Sequence, residues 1–395
     1  DAAERAARYR EGLSSRSIIP TAKALERLAQ LDEPLPAGPA DPGDVLRLLD
    51  ELGSPATMAT AGGRFFGFVV GSSLPAAVAG NMLAVAWDQE GGREVLSPIN
   101  AKLESVCAGW LVDLLGLPPA TGVGFVTGAT MANFSGLAAA RHALLGREGW
   151  DVESQGLFGA PPIAVIVGDD VHVSLLKALS LLGLGRERVQ RIPVDNQGRM
   201  RPELLPALHG PTLICAQAGH VATGACDPLE EICGRAKEAG AWVHVDGAFG
   251  MWAAAAPARA HVVRGLGLAD SWATDAHKWL NVPYDSGLVF VRDEGQLRAA
   301  MSVSAAYLTP AQSRQPDNFT PQMSQRARGV EIWAALRSLG RAGLADLIER
   351  SCRHAAFFAA GLRRAGYAIL NDVELNQVLV SFGNDDATRR IIAGI

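Results

Sequence analysis

The sequence contains few of the residues that mark disulfide-rich, metal-binding or membrane-spanning proteins. Only 5 of its 395 residues are cysteines, and they form neither a CxxC pair nor a zinc-ligand spacing. Apolar runs are interrupted by Arg, Asp, Asn or Gly well before the roughly 18 residues that a spanning helix needs. We therefore expect reduced, buried cysteines in a cytoplasmic protein, with no bound metal and no membrane span.

An excess of charge of one sign is also lacking. The net charge is -5, with acidic and basic residues mixed along the chain, so the basic stripe that nucleic-acid binding requires is missing. Aromatic residues make up only 6% of the chain, but 48% of it is hydrophobic, which is typical of a globular protein with a large core. The charged first residues, DAAERAARYREGL, are unlike a signal peptide.

The hydrophobic pattern predicts three segments. Residues 1–60 are expected to be helical, with a Pro/Gly-rich break at 33–44. In residues 61–325, short apolar runs alternate with helix-patterned stretches, which predicts a large α/β domain with a mostly parallel sheet between helices. Residues 326–395 are expected to form a smaller, incomplete C-terminal α+β domain, because a long helical region leads only to the strands YAIL and QVLVSF.

Six runs of the large domain are predicted to be buried strands, because each is short and almost continuously apolar. They are VGFV (123–126), IAVIV (163–167), TLICAQ (212–217), AWVHVD (241–246), SWATD (271–275) and GLVFV (287–291). Open α/β sheets bind ligands beyond the carboxyl ends of their strands. Polar residues that follow these runs are therefore the candidates for a functional site.

The segment TGATMAN (127–133) follows the first of these strands. A strand, a glycine turn and a helix start made of small residues direct backbone N–H groups and a helix dipole to one point, which favours a phosphate site at Ala129 and Thr130. An ordinary capped helix start remains an alternative. The preceding GVGFVTG is not a dinucleotide fingerprint, because its first two glycines precede the strand.

Two further strand ends carry an acid and an imidazole. Asp246 ends the strand WVHVD and is followed by Gly247 and Ala248, which leave room for a flat ligand. A buried carboxylate needs a positive partner or strong donors, although a helix cap or an arginine pair is an alternative. His244 faces the same side as Asp246 but has no third partner with metal-ligand spacing, and His172 follows the strand IAVIV.

Lys278 lies between His277 and Trp279, just beyond the strand SWATD. A lysine in apolar surroundings has its neutral form favoured, as a nucleophile that forms a Schiff base requires. Pyridoxal 5'-phosphate (PLP) needs a lysine, an acid at its ring nitrogen, an imidazole on its ring and a phosphate site, and the sequence offers all four. The ring of this cofactor accepts electrons when its nitrogen is kept protonated. The sequence therefore predicts a PLP enzyme with Lys278, Asp246 and His172 as its catalytic residues.

The sequence resembles the group II PLP-dependent amino acid decarboxylases of fold type I, and most closely their aromatic-L-amino-acid decarboxylase branch. The similarity covers most of the chain, and its motifs are RFFGFVVGSSLPAAVAGNML (64–83), SPINAKLE (97–104), GATMAN, DDVHVSLLKA, AQAGHVATGACDPLEEI, VDGAFG, DAHKWLNVPYDSG and LNQVLVSF. The resemblance implies the PLP-dependent transferase fold and decarboxylation of an L-amino acid. It also implies a homodimer with active sites at the subunit interface.

The resemblance also implies roles for individual residues. Lys278 matches the residue that carries the cofactor, Asp246 the partner of the pyridine nitrogen, and His172 the residue that stacks on the ring. Ala129, Thr130 and His277 match positions that contact the phosphate, while Ala248 and Thr223 match positions close to the ring. Phe65, Phe66 and Phe319 match positions of the substrate pocket, which favours an aromatic or bulky substrate.

Two departures from the family pattern leave the reaction open. Phe319 aligns with a loop tyrosine that is thought to protonate Cα, and phenylalanine cannot donate a proton. The product is then either an aldehyde formed with oxygen or an amine protonated by another donor, such as His172 or Tyr307. Asp275 stands where many relatives have asparagine, and a carboxylate there repels phosphate unless it is protonated or turned away.

Other functions share parts of this pattern. An aminotransferase or a carbon–sulfur lyase would use the same cofactor residues and give different products. A PLP-binding protein without catalytic activity would be coloured but would show no spectral change with substrate. An α/β binding protein without PLP would be colourless.

Overall fold

The computed structural model describes residues 1–303 and 313–394. The chain forms two compact units, Asp1–Ser73 and Leu74–Ile395. This division differs from the three predicted segments, because the boundary lies after Ser73 and the C-terminal residues belong to the same unit as the sheet.

The first unit contains three helices, α1 (Ala2–Glu11), α2 (Ala22–Glu26) and α3 (Pro42–Gly53). The Thr21 side chain accepts the Ala24 N–H at the start of α2, and the Asp41 side chain accepts two N–H groups at the start of α3. Arg5 of α1 pairs with Asp50 of α3, with 2.9 Å between Nη1 and Oδ2. The predicted helical character of the N-terminal segment is confirmed.

The second unit is built around a seven-stranded sheet. Its strands are β1 (Gly122–Val126), β2 (Ala164–Gly168), β3 (Gln190–Ile192), β4 (Thr212–Gln217), β5 (Trp242–Asp246), β6 (Ser271–Asp275) and β7 (Gly287–Val291), in the order β1-β7-β6-β5-β4-β2-β3. Neighbouring strands are parallel except that β7 is antiparallel to both β1 and β6. All six predicted strands are confirmed. The seventh, β3, is only three residues long and reads QRI, so no apolar run marks it.

The helices of the second unit cover this sheet and extend to the C-terminal part. They are α4 (Pro75–Trp87), α5 (Pro98–Leu114), α6 (Ala129–Arg147), α7 (Val152–Gln155), α8 (Val173–Leu181), α9 (Leu229–Glu238), α10 (Glu294–Met301), α11 (Gly329–Arg364) and α12 (Asp385–Gly394). Proline occupies the first helical position of α4 and α5, where a missing N–H costs nothing. Helix α6 lies against β5, β6 and β7 with a face of small buried residues, among them Ala132, Gly136 and Ala139.

The C-terminal residues are joined to this unit through α11, which packs along α4 and α5. Helix α11 is interrupted at Gly340, whose φ of 59° is a conformation that favours glycine. The two predicted strands form an antiparallel pair, β8 (Ala368–Ile369) and β9 (Val380–Ser381). Within residues 1–303 and 313–394, no helix combines the length and the hydropathy that crossing a membrane would require.

The direction of the strands determines where polar residues meet. Because β7 alone is reversed, the carboxyl ends of the other six strands and the start of β7 lie at one edge of the sheet. Asp246 ends β5, Asp275 ends β6, and Gly287 begins β7 at this edge.

Candidate active site

Lys278 lies in the connection between β6 and β7. Its Nζ is 3.1 Å from Oδ2 of Asp275 and 6.0 Å from the centre of the Phe249 ring, and 22% of its side chain is exposed. The surroundings are therefore less apolar than the sequence predicts, because a carboxylate as well as an aromatic face holds the amine.

Asp275 brings negative charge to the start of α6. Its Oδ1 accepts the Ala129 N–H at 2.6 Å and lies 3.3 Å from Nε2 of His277. Burial raises the pKa of Asp275, but the hydrogen bonds and charges of His277 and Lys278 outweigh burial and leave the pKa below its ordinary value. The ionised Asp275 side chain therefore accepts the Ala129 N–H, which the sequence predicts to be a phosphate donor.

The turn before α6 is closely packed. A Cβ at Gly128 would lie 3.2 Å from Cε1 of His277, and a Cβ at Gly287 would lie 2.5 Å from Cα of Gly128. His277 is fixed by the Ser286 N–H, which donates to its Nδ1 at 3.2 Å, and its ring centre lies 4.2 Å from that of Tyr284. The first turn of α6 also contains Thr130, which is partly buried.

Asp246 is a buried carboxylate, with 5% of its surface exposed. Its Oδ2 accepts a hydrogen bond from Asn133 Nδ2 at 3.0 Å, and its Oδ1 accepts the Ala248 N–H at 3.2 Å. Burial raises the pKa of Asp246 above its ordinary value. The Asn133 hydrogen bond and the charges of Lys278 and His172 act in the opposite direction but are weaker than the effect of burial. The predicted lysine and the predicted imidazole thus both lie within electrostatic reach of the predicted acid.

His172 immediately precedes α8. Its Nδ1 lies 2.7 Å from the Ser174 hydroxyl and accepts the Ser174 N–H at 3.3 Å. Because Nδ1 is occupied as an acceptor, a proton on the neutral ring resides on Nε2. The side chain is exposed.

Thr223 lies in the segment after β4, where its hydroxyl makes structural hydrogen bonds. The hydroxyl donates to the Gln197 carbonyl at 2.6 Å and accepts the Ala225 N–H at 3.2 Å. Asn371 Nδ2 donates to the Thr223 carbonyl at 2.8 Å and thereby ties this segment to the C-terminal part. Its predicted contact with the cofactor ring stays a prediction.

The three predicted pocket phenylalanines belong to two different units of the chain. Phe65 and Phe66 belong to the first unit, where the Phe66 side chain is exposed. Phe319 is buried in the apolar core beside the sheet, with the Arg314 guanidinium 3.9 Å above its ring. This environment differs from the loop position that the resemblance implies, because the ring packs in the apolar core. Tyr307 lies outside the described residues.

No sequence signal assigns a role to Asn133, although its side chain donates directly to Asp246. It also accepts a hydrogen bond from His244, with 2.9 Å between Oδ1 and Nε2. An asparagine in the second turn of a helix carries no local signal for such a contact, since its partners are 111 and 113 residues away in the chain. Among the described residues, no group of three or more His, Cys, Asp or Glu side chains could hold a metal ion.

The residues at this edge fit pyridoxal phosphate. The buried Asp246 carboxylate has two N–H donors, and within residues 1–303 and 313–394 no cationic side chain pairs with it directly. A protonated ring nitrogen would supply the missing cation. Lys278 supplies an amine nearby, and the start of α6 supplies backbone N–H groups. The one departure is Asp275, which adds negative charge beside the predicted phosphate site.

Comparison with known proteins agrees with this fit. A family profile described as "Pyridoxal-dependent decarboxylase conserved domain" matches residues 52–384. The chain belongs to this family. The predicted fold class, the PLP cofactor and the decarboxylase class are confirmed, whereas the roles of individual residues stay predictions.

Similar proteins include decarboxylases and aldehyde synthases of aromatic compounds. Tryptophan decarboxylase 1 of Oryza sativa subsp. japonica is 29% identical over 89% of this chain and 72% of its own length. Phenylacetaldehyde synthase of a Rosa hybrid cultivar is 30% identical over 76% of this chain and 62% of its own length. The crystal structure of Oryza sativa TDC with PLP and tryptamine is 25% identical, with a TM-score of 0.87 over 95% of this chain and 81% of that one. The chain thus spans about two thirds of the length of the first two of these enzymes.

Proposed function

We propose that this decarboxylase acts on an aromatic or bulky L-amino acid and gives the amine and CO2. The observation that carries the proposal is the meeting of Lys278, Asp246 and His172 at one sheet edge in a chain of this family. Relatives named as tryptophan and tyrosine decarboxylases support an aromatic substrate.

Each residue has a distinct task in this reaction. Bound pyridoxal phosphate supplies an electron sink for the bonding electrons that CO2 leaves behind. Lys278 would hold the cofactor and give way to the substrate amine, and Asp246 would keep a proton on the ring nitrogen. His172 would lie against the ring face, and its Nε2 can carry a proton to Cα, since Nδ1 is engaged by Ser174.

We also propose a homodimer. Helix α4 is apolar on nearly all faces; one face is buried, while Met82, Leu83, Val85 and Trp87 are between 44% and 63% exposed. A helix of this composition is normally covered on all sides, and a second subunit would cover the exposed face. A cytoplasmic location is supported by the five cysteines, which are all free and buried.

The test combines cofactor trapping with product analysis. Borohydride should fix pyridoxal phosphate to the wild type and to Lys102→Ala, an exposed lysine of α5, but not to Lys278→Ala. A set of amino acids is then assayed for CO2 release with and without oxygen, and the products are identified by mass spectrometry. We expect an amine from an aromatic substrate with the wild type and no turnover with Lys278→Ala.

Other products would identify the alternative reactions. Aldehyde formed only with oxygen would indicate an aldehyde synthase, a keto acid an aminotransferase, and sulfide a carbon–sulfur lyase. A coloured protein that releases no product from any amino acid would contradict catalysis. Turnover and trapping retained by Lys278→Ala would contradict the assignment of the lysine.

A further inference from the structure

Four buried polar side chains form a continuous chain of hydrogen bonds behind Asp246. Trp242 Nε1 lies 2.8 Å from Ser271 Oγ, which lies 2.8 Å from His244 Nδ1. His244 Nε2 is 2.9 Å from Asn133 Oδ1, and Asn133 Nδ2 is 3.0 Å from Asp246 Oδ2. Asn133, His244 and Ser271 are 0% exposed, and Trp242 is 4% exposed. These residues come from β5, β6 and α6, and no step of the reaction above uses them.

The groups at the two ends of this hydrogen-bond chain determine which atom donates in each of its bonds. An indole N–H can only donate, and an ionised carboxylate can only accept. The Asn133 amide donates to Asp246, so its Oδ1 is the acceptor and His244 must carry its proton on Nε2. In a neutral His244 ring Nδ1 is then an acceptor, so the Ser271 hydroxyl donates to it and accepts from Trp242.

Burial and packing hold the histidine in this state. Burial lowers the pKa of His244 to about 3, so the ring stays neutral at ordinary pH. A Cβ at Gly136 would lie 2.7 Å from Cε1 and 2.9 Å from Nδ1 of this ring, so the glycine of α6 leaves space for it. The ring cannot rotate without breaking hydrogen bonds at both nitrogens, each of which would leave a buried polar group unsatisfied.

We propose that Asn133, His244, Ser271 and Trp242 are positioning residues that keep Asp246 ionised and in one orientation. This inference rests on the proposed role of Asp246 as the partner of the ring nitrogen. A buried carboxylate that loses a donor is more readily protonated. A protonated Asp246 would no longer hold a proton on that nitrogen, so the chain of hydrogen bonds controls the charge of the cofactor ring.

A pair of substitutions at His244 tests this role. His244→Gln retains a side-chain N–H close to the position of Nε2, whereas His244→Leu removes the donor at similar volume. Asn133→Ala removes the direct contact with Asp246. Ser135→Ala is the control, because Ser135 is buried in the same helix as Asn133 and its hydroxyl donates to the Met131 carbonyl of that helix.

Two properties of the bound cofactor are measured. They are its dissociation constant and the pH midpoint at which its absorbance band shifts. For His244→Leu and Asn133→Ala we expect the dissociation constant to rise about tenfold, as for the loss of one hydrogen bond to a charged group. We also expect the midpoint to rise, because a ring without its positive charge makes protonation of the Lys278 link more favourable. His244→Gln and Ser135→Ala should stay close to the wild type.

A second measurement needs no cofactor. In the apo protein, nitrogen NMR should show His244 protonated at Nε2 alone, without titration between about pH 5 and 9. A proton at Nδ1, or an unchanged midpoint and dissociation constant in folded His244→Leu, would overturn the proposal. A wild-type chain that binds no pyridoxal phosphate would refute the proposed function instead, and the NMR result would still decide whether the hydrogen-bond chain exists.

Discussion

Asp275 has a stabilising role before any cofactor binds. It links the start of α6 to His277 and Lys278, and its pKa is held below the ordinary value. A carboxyl group with a lowered pKa contributes stability above its ordinary pKa of about 4, and this contribution is lost as the pH falls through the lower folded value. Asp275 therefore stabilises the apo protein at neutral pH, whereas its charge would repel a phosphate bound at the predicted site.

The substitution Asp275→Asn should separate these two effects. At pH 7 we expect the free energy of unfolding of the apo protein to fall by about 1–3 kcal/mol, because Lys278 loses its anionic partner and His277 loses a charged acceptor. The affinity for pyridoxal phosphate should rise, because asparagine does not repel its phosphate. Denaturant unfolding and a spectroscopic binding titration measure the two quantities.

Asp293→Asn is the matched control, since Asp293 is an exposed cap of α10 and asparagine caps equally well. Weaker cofactor binding by Asp275→Asn would show that the carboxylate supports the site instead of opposing the phosphate.

The sequence predicts individual site residues only where a local signal exists. Asp246 ends one apolar run and Lys278 lies just beyond another, so their place at the sheet edge could be derived from the pattern. Asn133 and Ser271 have no such signal, because their roles come from partners brought close by the sheet. The burial of Phe319 was equally unpredictable, since an alignment of a loop does not show which rings enter the core.

At the scale of elements, helix α5 contains a buried acid, Glu104, that is not part of the candidate active site. Glu104 accepts a hydrogen bond from Asn100 at 3.0 Å and lies 3.6 Å from the Arg314 guanidinium. Burial nevertheless raises its pKa to about 7. In a carboxyl group with a raised pKa, the folded state binds the proton more tightly than the unfolded state. Stability therefore falls as the pH rises from about 4.5 to 7.

Glu104→Gln should remove this pH dependence. Relative to the wild type, we expect its free energy of unfolding to gain about 3 kcal/mol between pH 5 and 8, whatever the constant offset that the substitution adds. Denaturant unfolding at several pH values measures the change. Parallel stability curves for the two proteins would contradict the raised pKa.

The contact of β7 with the turn before α6 gives another test at this scale. A Cβ at Gly287 would meet backbone atoms of Gly128 that cannot move independently of the helix. Gly287→Ala should lower the free energy of unfolding by about 2 kcal/mol and weaken cofactor binding. Gly109→Ala is the control, because nothing lies within 4 Å of a Cβ there, in the middle of α5. That substitution should stabilise the protein by about 0.5–1 kcal/mol, and equal effects of both would contradict the packing.

The positions of strands and helices were more predictable from the sequence than the division of the chain into units. The runs TLICAQ, SWATD and GLVFV coincide with β4, β6 and β7, because strands buried on both faces are continuously apolar. The division of the chain was not predictable, since it depends on the packing of α11 against α4 and α5. Local composition contains no information about such distant contacts.

At the scale of the whole molecule, the exposed face of α4 predicts self-association. Analytical ultracentrifugation should give twice the chain mass of 41.5 kDa. Leu83→Glu with Val85→Lys should shift the protein towards the monomer, because charges on this face cannot be buried without partners. Lys237→Glu on the exposed side of α9 is the control. A wild type that stays monomeric at all concentrations would contradict the dimer.

The reversal of β7 has a consequence for the lysine. Parallel neighbours must be joined by a crossover that returns to the opposite edge of the sheet, whereas antiparallel neighbours are joined by a loop that never leaves the edge. Lys278 lies on such a loop and is anchored through paired strands on both sides. Its amine should therefore keep its place when the surrounding helices fluctuate, and amide protons of β6 and β7 should be among the slowest in the chain to exchange with solvent.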